Sequence, residues 1–375
     1  MTNSCWFYIV LSEIVAGCAV QYDRRHSRII KAIKGLKGFM CRTDNSYHMV
    51  NSTSTVWDTA LISHALQRAR VSTTHPAIMR AGTYLLNRQQ TVMGDWSKHN
   101  DSAIAGGWGF SDSNTMNPDV DDSTAALRAI HRLAAHDNRF QEAYDKGFHW
   151  VLSMQNDDGG WSAFEKNTNK AFLNWLPYDG ADAALTDPST ADLSGRALEY
   201  LGSMAKLTIK HPFIQKAVNW LKENQEEDGS WYGKWGICYI YGTWAAVTGM
   251  KAVGVEARDP ALVKATKWLM TIQNSDGGWG ESCSSDKVKR YVHLHASTPS
   301  QTAWALDALI ASSPAPTDTI NRGIECLIAL LHKKDQYAKY PTGAGLPGQF
   351  YIRYHSYNSI WPLITLSHYR EKITC

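Results

Sequence analysis

Residues Gln155 to Trp161 read QNDDGGW, and the same frame returns three more times, as Gln90 to Trp96 (QTVMGDW), Gln225 to Trp231 (QEEDGSW) and Gln273 to Trp279 (QNSDGGW). Each copy is a Gln followed six residues later by a Trp, with Gly one or two positions before the Trp. Stretches such as KGFHWVLSMQ, KAVNWLKENQ and KATKWLMTIQ lead into the motif with apolar residues at helical spacing, and the Gly-rich turn ends each helix. A second kind of helical segment follows each turn, small and apolar and opened by Ser, Thr or Asp as helix N-caps are. Six such segments are predicted: Thr55–Arg70, Asp122–Ala135, Thr190–Met204, Tyr241–Gly254, Ser300–Ser312 and Ser356–Tyr369. More polar helices alternate with them near Pro76–Gln90, Gln141–Gln155, Pro212–Gln225, Pro260–Gln273 and Thr319–His332, with Ser27–Phe39 as a sixth. Six apolar helices wrapped by six amphipathic ones make an all-α fold, an (α/α)6 barrel with a deep central cavity facing the loops before the inner helices. The Gln/Trp motif itself argues fold: a Gln at a helix end bonds the turn while the Trp stacks over it, tying stacked hairpins together.

The remaining composition narrows the function. With 375 residues and 44% hydrophobic content the chain can bury a large core. A net charge of +3, from 38 basic and 35 acidic side chains spread evenly, gives no footprint for nucleic acid. Seven cysteines, Cys5, Cys18, Cys41, Cys238, Cys283, Cys326 and Cys375, form no CxxC pair, which favours reduced thiols in a cytoplasmic setting. The stretch Cys5 to Val20 lacks a basic leader, contains Glu13 and is too short to span a bilayer, so it reads as a buried helix. Fifteen Trp residues point to aromatic side chains with a task beyond packing.

At the start of the second inner helix stands Pro118-Asp119-Val120-Asp121-Asp122-Ser123-Thr124. Three carboxylates so close repel one another, so one of them keeps its proton near neutral pH and is available as an acid. One Asp alone would serve as a helix cap. Asp clusters also hold Mg²⁺, but magnesium sites that cradle diphosphate come with nearby Arg and Lys, which NTMNPDVDDSTAAL lacks. General acid, cap and metal ligand all stand as readings of the cluster taken alone.

PDVDDSTA resembles the DxDD acid motif of the squalene–hopene cyclase family, and the Gln/Trp repeats resemble its QW motifs. The likeness runs from about Asn51 to Tyr369 through NSTSTVWDTALI, DPSTADLSGRALEYLG, GSWYGKWGICYIYGTWAA, STPSQTAWALDALI and GLPGQFYIRYHSY. It is nearest the Bacillus-type branch that cyclises tetraprenyl-β-curcumene. The resemblance implies a class II, protonation-initiated terpene cyclase of the isomerase or hydro-lyase kind, with no metal or organic cofactor. Asp121 matches the proton donor, and Asp119 and Asp122 the carboxylates that tune it. Arg196 in DLSGRALEY stands where the family has a His; a cation there is expected to hold Asp119 or Asp122 ionised and strengthen Asp121 as an acid. Trp57, Phe110, Phe164, Trp235, Tyr241, Phe350, Tyr354 and Tyr357 match the cavity wall, while Leu346 replaces an aromatic. Ring faces suit a carbocation because they attract it without trapping it.

Two domains follow from the resemblance: residues 1–50, N-terminal helices standing for an upstream domain, and residues 51–375, the catalytic barrel. The implied partners are an isoprenoid lipid such as tetraprenyl-β-curcumene or squalene, a separate N-terminal cyclase domain, and a cytoplasmic membrane surface to which the chain attaches peripherally. The alternatives are a DxDD cyclase of prenyl diphosphates and a non-catalytic lipid-binding or partner subunit of a split cyclase. His293 and His295 in YVHLHAS fall on two faces of a strand or loop and read as packing residues.

Overall fold

The computed structural model describes residues 27–38, 40–42, 47–49, 53–170, 172, 186–333, 336–346 and 350–374. The helix expected over Cys5 to Val20 lies outside them, as do most residues of the expected 1–50 segment.

Among the described residues the helices are α1 (Ser27–Gly38), α2 (Thr55–Arg68), α3 (Pro76–Leu86), α4 (Val120–Ala134), α5 (Asn138–Ser153), α6 (Ala191–Ser203), α7 (Pro212–Glu223), α8 (Tyr239–Ala252), α9 (Pro260–Thr271), α10 (Ser284–Val288), α11 (Pro299–Ser312), α12 (Asp318–His332) and α13 (Tyr357–Thr374). Every predicted inner helix forms and starts within two residues of its expected position. These six close a ring: α2 packs on α4, α4 on α6, α6 on α8, α8 on α11, α11 on α13, and α13 returns to α2. Outer helices α3, α9 and α12 each pack on both inner helices they connect, while α5 packs on α4 and α7 on α6, consistent with the (α/α)6 arrangement.

Small residues allow the inner ring to be tight. A methyl group on Gly195 of α6 would stand 2.3 Å from the Ala245 carbonyl oxygen of α8, and one on Gly249 of α8 would stand 2.3 Å from the Gly195 carbonyl oxygen. The two backbones therefore meet where neither helix has a side chain, and nearly every other residue of α8 is buried.

The repeats lock this frame. Gln155, Gln225 and Gln273 each donate from Nε2 to a turn carbonyl (Gly159, Gly229 and Gly277) and to a carbonyl in the first turn of the next outer helix (Phe213, Ala261 and Thr319), at 2.7–2.9 Å. Trp161, Trp231 and Trp279 donate from Nε1 to Val151, Leu221 and Leu269 in the helix just ended. Gly159, Gly229 and Gly277 share a φ of +103°, +102° and +88°, the left-handed region that a side chain resists.

The copy expected at Gln90 to Trp96 is corrected. Gln89, not Gln90, bonds the Gly106 and Ala143 carbonyls, and Trp108, not Trp96, sends its indole N–H to Leu85 at 2.7 Å. The copy is split by an inserted loop, and Trp96 packs edge-on to Trp150, with no partner for its own Nε1 among the described residues. The Gly106-Gly107-Trp108 triplet, matching Gly159-Gly160-Trp161, was the usable signal.

Two short antiparallel strand pairs accompany this mostly helical fold: β1 (Met40–Arg42) with β2 (Tyr47–Met49), and β3 (Gly343–Leu346) with β4 (Phe350–Ile352). The second is stitched to the loop before α8, with the Ala344 N–H donating to Trp235 and the Ile237 N–H to Thr342.

Candidate active site

The acid motif is placed by a repeat. The Trp108 N–H donates to Ser123 Oγ and its carbonyl accepts from the Asp119 N–H, just as Trp161 meets Ser194 Oγ and the Thr190 N–H, and Trp279 meets Thr302 Oγ1 and the Thr298 N–H. Asp119 thus occupies the position of Thr190 and Thr298, the N-cap, and its Oδ1 accepts from the Asp122 N–H at 2.8 Å. The capping reading holds for Asp119. It leaves Asp121 and Asp122, in the first turn of α4, as the surplus acids.

Burial sets their chemistry. Asp119 is 7% and Asp122 2% exposed. Burial pushes the Asp119 carboxyl up to about 6, against the hydrogen bonds from Asp122. Asp122 is driven well above the usual carboxylate range by burial first, then by the Asp119 and Asp121 charges, with Arg196 opposing. Its Oδ1 is buried without a partner among the described residues. An orphan carboxylate oxygen in an apolar site favours the protonated form. Asp121, with its side chain 13% exposed, is the member that reaches the open side.

Arg196 reaches across from α6 and donates from Nε to Asp121 Oδ1. Its expected partner is Asp119 or Asp122, but the Asp119 carboxylate is spent on capping the Asp122 N–H, and the guanidinium meets Asp121 instead. Burial works against the Arg196 charge, but Asp121 outweighs it and holds the guanidinium charged. Three indoles surround that guanidinium at 5.4–5.5 Å: Trp57, Trp244 and Trp361.

The expected wall residues fall into two groups. Trp57, Tyr241 and Tyr357 are buried beside Arg196; the Trp57 Nε1–H donates to the Tyr357 hydroxyl at 3.0 Å, and Tyr241 packs edge-on to Trp304 at 4.8 Å. Phe110, Phe164, Trp235, Phe350 and Tyr354 are half-buried. Phe110 lies edge-on to Tyr354, which stacks on Tyr357 at 4.4 Å, and Phe164 lies edge-on to Trp235 at 5.9 Å. The Leu346 side chain lies outside the described residues.

Trp244, Trp304 and Trp361 belong to the aromatic cluster and were not singled out in the sequence, where an inner-helix Trp is indistinguishable from core. A cavity of about 310 Å³ lies among the C-terminal halves of the inner helices, with Arg196 as part of its wall, away from the loops where the deep hollow was expected. His293 and His295 face each other, Nδ1 to Nδ1 at 2.8 Å, rather than lying on two faces; His295 has φ +60°. Among the described residues no helix is long and apolar enough to cross a membrane.

Comparison with known proteins gives the family. The family description of the squalene–hopene cyclase C-terminal domain matches residues 53–371. Sporulenol synthase from Bacillus subtilis is 51% identical over 372 residues, covering 99% of this chain and 57% of that protein. A squalene–hopene cyclase from Alicyclobacillus acidocaldarius is 39% identical over 371 residues, covering 98% and 58%. The chain therefore spans under three fifths of the length of these relatives. Among solved structures, the type II terpene cyclase MstE from Scytonema superposes with a TM-score of 0.55 at 17% identity, over 89% of this chain and 92% of that one, a likeness of fold. A DxDD cluster at the head of an inner helix, four Gln/Trp locks and a matching domain along most of the chain place this protein in the squalene–hopene cyclase family, as its C-terminal (α/α)6 domain.

Proposed function

We propose that this chain is the catalytic barrel of a class II terpene cyclase that protonates a terminal alkene of a long polyprenyl hydrocarbon, of the tetraprenyl-β-curcumene or squalene class, and so starts a cascade of ring closures. The observation that carries the reading is the acid motif: three carboxylates share one helix start, two of them buried with raised proton affinity, and the third meets a fixed cation. In this proposal Asp121 delivers the proton to the alkene. The electron pair of the double bond takes it, a tertiary carbocation forms, and Arg196 stabilises the carboxylate left behind. The Asp121–Arg196 ion pair supports that reading of the conjugate base, and burial raises the proton affinity of Asp119 and Asp122 beside it.

Trp57, Phe110, Phe164, Trp235, Tyr241, Phe350, Tyr354 and Tyr357 are proposed to line the substrate path, each ring face worth about 0.5–2 kcal/mol to a passing cation. Five of the eight are half-buried, which supports a second domain covering them, and the longer relatives leave room for one. Residues 51–375 are then the barrel, and the preceding residues the join to that domain. An apolar substrate of this size reaches the site from a lipid phase, so peripheral attachment at the cytoplasmic membrane belongs to the same proposal.

The test is incubation with tetraprenyl-β-curcumene and with squalene, by the chain alone and with the separately produced N-terminal half of a full-length relative, followed by mass spectrometry. A polycyclic product from either mixture, absent with Asp121→Asn, is expected. No product from any mixture contradicts the proposal.

A further inference from the structure

We infer that Asp187, just before the N-cap of α6, is a positioning residue that sets the acid motif and one aromatic pair with a single carboxylate. It lies only 6% exposed. Its Oδ1 accepts from the Ala163 N–H at 3.0 Å, and its Oδ2 from the Phe164 N–H at 2.6 Å and the Glu165 N–H at 3.1 Å. Three consecutive backbone donors on one side chain fix a segment that has no helix or strand of its own.

Both ends of that segment lead to the site. The Ala163 carbonyl accepts from the Val120 N–H at 3.0 Å, the residue between Asp119 and Asp121. Phe164 presents its edge to Trp235, whose own N–H is held by the buried Asp192 at 2.8 Å. Asp187 therefore acts on the acid through Ala163 and on the wall through Phe164, and among the described residues it makes no hydrogen bond to the acid motif or to Trp235. The inference rests on the reading of the motif as the acid.

Asp187→Asn keeps the shape but turns one oxygen into an NH₂ group, so at least one of the three N–H groups faces a donor. Residue-resolved hydrogen exchange on the full chain, without substrate, tests the linkage. Asp187→Asn is expected to raise exchange at least tenfold at Ala163, Phe164, Glu165 and also Val120, with the interior amides of α8 and α11 unchanged. Asp187→Glu, which retains both acceptors, is expected to stay within threefold of the parent. With a polyprenyl hydrocarbon as substrate, Asp187→Asn is expected to lower kcat at least tenfold and change the product ratio, with KM within twofold. Unchanged protection at Val120, a uniform rise across all inner helices, or loss by Asp187→Glu as large as by Asp187→Asn overturns the inference. A parent chain that turns over nothing counts against the proposed function alone, since the exchange result does not depend on turnover.

Discussion

Replacing Asp119 by Asn should make the protein more stable at neutral pH. Asn caps a helix about as well as Asp, so the bond from the Asp122 N–H is kept. What disappears is a buried carboxyl whose proton affinity folding raises from the ordinary 3.8 to about 6. A carboxyl raised on folding binds more protons in the folded state between those two values, so stability falls as pH rises through that window and the loss is complete above it. A shift of about 2.2 units corresponds to on the order of 3 kcal/mol. At about 2.1 cal/mol/K per residue over 375 residues, that is about 4 °C in Tm. Denaturant and thermal unfolding of parent and variant from pH 3.5 to 8 measure it. Other carboxylates titrate in both proteins, so the difference between the two curves carries the information: near zero at pH 3.5, rising to about 3 kcal/mol in favour of Asn by pH 7. A variant less stable than the parent at pH 8, or a difference flat with pH, refutes the claim that this cluster is strained when ionised. On the proposed function that strain serves the acid, so a stabilising change here should be costly to activity.

Gln225→Ala removes two donors to Gly229 and Ala261 and leaves both carbonyls buried; a loss of about 1–3 kcal/mol is expected, read from the denaturant midpoint, and Gln155→Ala and Gln273→Ala should match it because their geometry repeats. Gln90→Ala should cost far less than Gln89→Ala, since Gln89 makes the two cross-repeat bonds of the split copy. Arg196→Met leaves Asp121 without its cation, which should cost about 3–5 kcal/mol, read by the same unfolding assay.

The barrel was legible because its signals are local and periodic: helix caps, Gly turns and a repeated Gln/Trp lock each appear within a few residues of one another. The split copy was misread because Trp96 happens to stand at the regular spacing while Trp108, the true partner, sits beyond an insertion. The clustering of three carboxyls at one helix start was also legible, since three Asp in four residues exceed what capping needs. Which acid would meet Arg196 was not, because that depends on how Asp119 folds back over the Asp122 N–H, a three-dimensional fact. Trp244, Trp304 and Trp361 look like core on apolar helices, and only the ring of helices brings them around one guanidinium. Asp187 carried no pattern at all; its role lies in contacts more than twenty residues away in sequence.

The most direct test of the central claim is cyclisation in deuterium oxide by the chain with an upstream half supplied, comparing the parent with Asp121→Asn. The account predicts a polycyclic product carrying one deuterium delivered by the acid, and none from the Asn variant while its fold persists by circular dichroism. Cyclisation by Asp121→Asn at the parent rate, or product formed without deuterium, contradicts it.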